Sequence, residues 1–254
     1  MNRLQTELHR LYLPHDAQSE CPDPADEAIS LMGVDGRVRA LVVELAQQAG
    51  WNGVAALWQG VQDDLDLPAP AIAVSGMDGF QVWFSLAESV PIAQALDFLA
   101  SLRLRYLGVI AAKHIRMKPT ANDSTPWQSQ HAKLVPACQG ESGRWSAFVA
   151  PGLAGMFADE PWLDLPPGPD AQAKLLSGLK SIQPAEFRLA QERLRPVGAP
   201  TAVAVASVTA DAAHEAQDPK HFLLAVMRDP ATEMLLRIEA AKALLPYFER
   251  RLQG

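Results

Sequence analysis

The sequence predicts an α+β fold in which a sheet is flanked by helices and followed by a helical hairpin. Three observations carry this. An apolar run at 39–46 with Glu44 as its only internal charge suits a buried strand. Two strand-like runs within 71–84 are joined by a glycine-marked reversal, and apolar residues recur at helical spacing in 51–64 and again in 91–107. The order strand, helix, strand, strand, helix is half of a βαββα-type sheet domain.

The elements follow in chain order. Residues 2–12 (NRLQTELHRLY) place apolar side chains near helical spacing, whereas 14–30 is rich in Pro, Asp, Glu and Ser and reads as a connecting loop. After the 39–46 strand, Gly50 breaks the run, and Val54, Leu57, Trp58 and Val61 then share one helical face. Pro68 and Pro70 stop that helix, because proline removes a backbone donor and restricts the residue before it. Ala71–Val74 and Phe80–Phe84 read as strands around Ser75-Gly-Met-Asp-Gly79, whose glycines permit positive φ. Pro91 opens a helix striped by Ile92, Leu96, Leu99, Leu102 and Tyr106. Further strands are expected at 113–118, 133–137 and 145–149. Pro-rich 161–169 closes this region, and 170–194 reads as two helices divided at Pro184.

Composition limits the function classes. The chain has 254 residues, 48% hydrophobic and 20% charged, enough to bury a core without staples. Cys21 and Cys138 form neither a disulfide framework nor a thiolate metal site. The longest charge-free run, 45–62, holds five Gln or Asn residues and cannot span a membrane, and the N-terminus has no apolar signal core. A cytoplasmic protein is therefore expected. A net charge of −7 argues against nucleic-acid attraction over the whole surface but allows a local basic patch. There is no Gly-x-Ser-x-Gly, no phosphate loop ending Gly-Lys and no His-x-x-x-His pair, and the histidines are scattered.

Residues 37–86, from RVRALVVELA through the Ser75-Gly76-x-x-Gly79 hairpin and Phe80, Trp83 and Phe84, resemble the archaeo-eukaryotic primase superfamily, particularly the primase-polymerase domains of phages and plasmids. Arg116-Met-Lys-Pro119 extends the likeness to an Arg-containing element of that family. The resemblance implies an Asp-x-Asp pair on the first strand holding divalent ions, and a hairpin histidine touching nucleotide phosphate. This chain departs at both. Glu44-Leu-Ala46 stands at the acidic pair, leaving one carboxylate, and Gln81 stands at the histidine. Two divalent ions need several bridging carboxylates, so polymerase chemistry is expected to be lost. Mg²⁺ or Mn²⁺ would serve only if activity survived. Asp63, Asp64 and Asp66, at a helix end before a proline turn, read as solvated acids rather than replacements.

Between Asp97 and Asp123 the chain carries Arg103, Arg105, Lys113, Arg116, Lys118 and His114 without an acid, and Trp127 and Tyr106 offer rings for base stacking. Dipole-favouring solvation of a helix end accounts equally well for Arg103 and Arg105. Further on, 218–230 and 236–247 are similar to a helical segment of phage small-terminase-like proteins, which implies assembly or partner contact.

The expected organisation is an N-terminal helix and loop (1–30), a primase-like α+β domain (31–195), a linker (196–217) and a helical hairpin (218–254). The expected function is binding of a nucleotide or single-stranded DNA without polymerisation, by a protein of phage or plasmid origin. Candidate binding residues are Ser75, Gly76, Gln81, Arg103, Arg105, Lys113, Arg116 and Lys118; Glu44 is the one candidate catalytic group, and no metal ligand set is assigned. The alternative is a non-enzymatic assembly or adaptor protein that docks a partner through 218–249.

Overall fold

Alternation along the strands, broken by a bulge at Val38–Ala40, builds a sheet whose two faces differ, and that difference creates the site. The computed structural model describes residues 2–14, 28–33, 35–120 and 131–195. The chain divides into two units, Met1–Ala199 and Pro200–Gly254, and every described residue belongs to the first. The expected linker at 196–217 and hairpin at 218–254 lie outside the described residues.

In chain order the helices are α1 (Arg3–Leu11), α2 (Gly50–Asp63), α3 (Ile92–Tyr106), α4 (Pro151–Ala154), α5 (Pro169–Ser177) and α6 (Pro184–Leu194). The strands are β1 (Ala28–Ser30), β2 (Arg37–Ala46), β3 (Ala71–Val74), β4 (Gly79–Pro91), β5 (Ile115–Lys118), β6 (His131–Lys133) and β7 (Ala147–Val149). Five of them form one antiparallel sheet in the order β5-β2-β4-β3-β7, while β1 and β6 pair separately. The fold is α+β, as the sequence predicts, and the β2-α2-β3-β4-α3 order is present.

Local chemistry explains the helix starts. Asn2 and Gln5 form a capping box that satisfies two backbone donors of α1, at 2.8 and 2.9 Å. Pro169 and Pro184 stand in the first turns of α5 and α6, where a missing N–H costs no bond.

One face of the large sheet presents Leu41, Val43, Leu45, Ile72, Val74, Phe80, Val82 and Phe84 to α2, α3 and α6, which bury Leu57, Phe98 and Phe187 against it. The alternate residues Ala40, Val42, Ala71, Ala73 and Trp83 face the other way, toward α1 and α5. There Tyr12, Trp83 and Phe148 form an aromatic cluster with ring centroids 5.0–6.1 Å apart. This second layer covers only part of its face. Beyond Trp83 the face turns polar at Gln81, Glu44, Arg116 and Lys118.

Several elements differ from the sequence reading. β1 lies within the stretch 14–30 read as loop, and it pairs with β6. The strand expected at 133–137 is instead 131–133, because Pro136 has no ladder donor and the Ala137 amide is taken by Ser146 Oγ at 2.9 Å. A 3₁₀ turn occupies 112–114 before β5, and β7 starts at Ala147 because Trp145 makes isolated bridges to Cys138 and Leu163. β4 continues past Phe84 to Pro91, following β2 back to Arg37. No helix among the described residues is long and apolar enough to cross a membrane.

Candidate functional site

The uncovered part of the second face is a cleft of about 320 Å³, walled by the β3–β4 hairpin, the start of β5 and Lys133. Register fixes its floor. Glu44 on β2 lies directly opposite Gln81 on β4 and Arg116 on β5. Leu41, Val43 and Leu45 point to the helices on the opposite side of the sheet, as do Phe80 and Val82. The alternate residues Glu44, Gln81, Arg116 and Lys118 therefore share the other face with Trp83. Lys113, His114 and Lys133 line the rim, with Asp78 as the second acid. Four Lys or Arg residues thus meet two carboxylates, on a protein whose net charge is −7.

Gln81 is only 3% exposed, and its orientation is determined. The Trp83 indole N–H can only donate, and it donates to Gln81 Oε1 at 3.0 Å. The amide nitrogen Nε2 is therefore the end left to the cleft, with no protein acceptor among the described residues. Glu44, half-buried beside it, takes no part in the ion pairs among the described residues.

The hairpin motif holds the wall in place. Ser75 Oγ accepts from the amides of Met77, Asp78 and Gly79 at 3.0–3.1 Å. Gly76 has φ +77°, and a Cβ there would crowd the Ser146 amide and Gln139. The Gly76 N–H donates to Pro161 O at 3.0 Å, so this amide is committed to the fold. Gln47 clamps the same loop, its N–H on Asp78 O and its side-chain amide on Asp159 O.

Of the residues singled out in the sequence, Glu44, Ser75, Gln81, Lys113, Arg116 and Lys118 line this one cleft, and Gly76 supports its wall. Arg103 and Arg105 lie elsewhere, on α3, which packs against the opposite face of the sheet. Arg105 pairs with Asp64 at 3.0 Å, and Tyr106 hydrogen-bonds Gly60 O and Asp64. These bonds hold the Asp64 carboxyl below the usual carboxylate range. Burial, then the Asp64 charge, push the Tyr106 phenol up to about 12. Asp66 pairs with Arg193 at 2.6 Å. This cluster ties α2, α3 and α6 together, and its acids Asp64 and Asp66 are paired rather than merely solvated. Trp127 lies outside the described residues.

Lys133 and Asp78 also belong to the cleft, although the sequence does not mark them as site residues. Lys133 Nζ donates to Gln139 Oε1 at 3.1 Å and meets Met77 Sδ of the hairpin at 3.2 Å, and the β1–β6 ladder helps bring it to the rim. No spacing rule signals it. Asp78 reads in the sequence as a turn residue alone.

The donor set does not fit the two divalent ions that the primase resemblance implies. Glu44 is the sole acid at the Asp-x-Asp position, and among the described residues no three His, Cys, Asp or Glu side chains gather closely enough to hold a metal. No protein-family model matches the chain, and no curated protein sequence matches it.

Proposed function

We propose that the cleft binds the phosphate groups of a nucleotide or of single-stranded DNA, without polymerising it. The observation that supports this most strongly is the convergence of Lys113, Arg116, Lys118 and Lys133 on one open cleft with the amide nitrogen of Gln81. Arg116 offers a planar fork suited to two phosphate oxygens, and the lysines offer point charges. Gln81 adds a neutral donor whose direction is set before the ligand arrives. A descent from a primase-polymerase of phage or plasmid origin accounts for an acid, a glycine hairpin and a donor at these places.

The test is anisotropy of a labelled single-stranded DNA at two salt concentrations. Binding should weaken as salt rises, because phosphate contacts release condensed counterions. The double variant Arg116→Ala/Lys118→Ala should lower affinity about tenfold or more at low salt and flatten the salt dependence. No binding by the wild-type protein at low salt would sink the proposal.

A further inference from the structure

We infer that the cleft holds phosphate with side-chain cations alone, without a divalent ion, and that Glu44 opposes the ligand rather than anchoring it. The inference rests on the reading of the cleft as a phosphate site and concerns how the charge is balanced there. Three independent features of the floor point the same way.

The first is the orientation of Gln81. A side-chain amide ligates a cation through its oxygen and meets an anion through its nitrogen. Trp83 occupies the oxygen, so the end that faces the cleft is the one suited to an anion. The second is the row across the sheet. Glu44 has Arg116 on one side and Gln81 on the other, each about 5 Å away across the ladder. A divalent ion on Glu44 would sit beside a guanidinium, with lysines at the rim adding repulsion. The third is the scarcity of acids in the cleft, where Ala46 follows Glu44 on the same strand face. Asp78 is the other carboxylate of the cleft, and the two do not form part of a metal-sized cluster among the described residues.

If cations of the chain carry the phosphate, Glu44 is a like charge next to it. Removing that charge should then tighten binding. If a metal carried the phosphate, removing its only strand ligand should weaken binding instead. The sign separates the two.

The experiment is anisotropy of a labelled oligothymidylate at constant ionic strength, once with Mg²⁺ and once with EDTA, for the wild type and for Glu44→Gln. The expected result is the same wild-type Kd in both buffers, and binding about fivefold tighter for Glu44→Gln at low salt in both. Loss of wild-type binding in EDTA would overturn the inference while leaving the phosphate reading in place. Weaker binding by a Glu44→Gln protein with an unchanged circular dichroism spectrum would do the same. Absence of wild-type binding in either buffer would instead remove the phosphate reading itself, and the inference with it.

Discussion

Gly79 stands where β4 leaves the hairpin and passes against β2, and a Cβ at that position would overlap the Leu45 carbonyl oxygen. Backbone cannot give way as a flexible side chain can, so Gly79→Ala should cost about 2–4 kcal/mol in urea unfolding. Gly152→Ala is the control. Nothing lies within 4 Å of its added carbon, and it sits in a helix, so the substitution should be neutral or stabilising by up to about 1 kcal/mol. Equal effects of the two substitutions would contradict this account of the hairpin. In sequence both hairpin glycines read as sources of positive φ. Only Gly76 has one; Gly79 is required by a strand more than thirty positions earlier, which no local pattern reveals.

At the scale of elements, α1 is fixed to the sheet by polar groups as well as by its apolar stripe. Arg39 is 3% exposed and has no carboxylate partner among the described residues. Its guanidinium donates to the carbonyls of Arg10, Leu13 and Leu86 at 2.7–3.2 Å, and Ser85 Oγ donates to Leu11 O at 2.6 Å. The carbonyls left unpaired at the end of a helix thus find donors on β2 and β4, and the cation suits the negative end of the helix dipole. Burial lowers the Arg39 pKa from its usual value, with the nearby Arg10 charge adding to the shift. Arg39→Met should destabilise the protein by about 2–3 kcal/mol, because orphaned buried carbonyls outweigh relief of the buried charge. Hydrogen exchange at Leu8 and Leu11 should accelerate more than at Leu57. Uniform acceleration would mean that Arg39 does not act through α1. The α1 helix itself is legible in NRLQTELHRLY, as are the core strand, the hairpin and α2, α3, α5 and α6 in their own segments. The destination of α1 is not, since amphipathicity marks a buried face without naming what covers it. β1 is hidden because a three-residue strand in a polar stretch leaves no periodicity to read.

At the scale of the whole unit, the site exists because one sheet face is covered completely and the other only in part. The sequence stretch 97–123 joins Arg103, Arg105, Lys113, Arg116 and Lys118 into one apparent basic segment. The chain passes from α3, on the helix-covered face, through 107–114 to the edge strand β5, so the segment is split across the sheet. Strand alternation makes the floor residues Glu44, Gln81, Arg116 and Lys118 readable in hindsight, given the antiparallel register. The register itself, and the arrival of Lys133, depend on pairings far apart in the chain. The proposed phosphate binding on this floor has a built-in reporter in the side-chain amide of Gln81. Titrating inorganic tripolyphosphate into ¹⁵N-labelled protein, with Gln81 assigned by its Gln81→Leu variant, should shift the Gln81 Nε2 protons and the Arg116 Nε proton saturably, leaving Arg103 and Arg105 still. Shifts confined to Arg103 and Arg105, or none at Gln81, would contradict it.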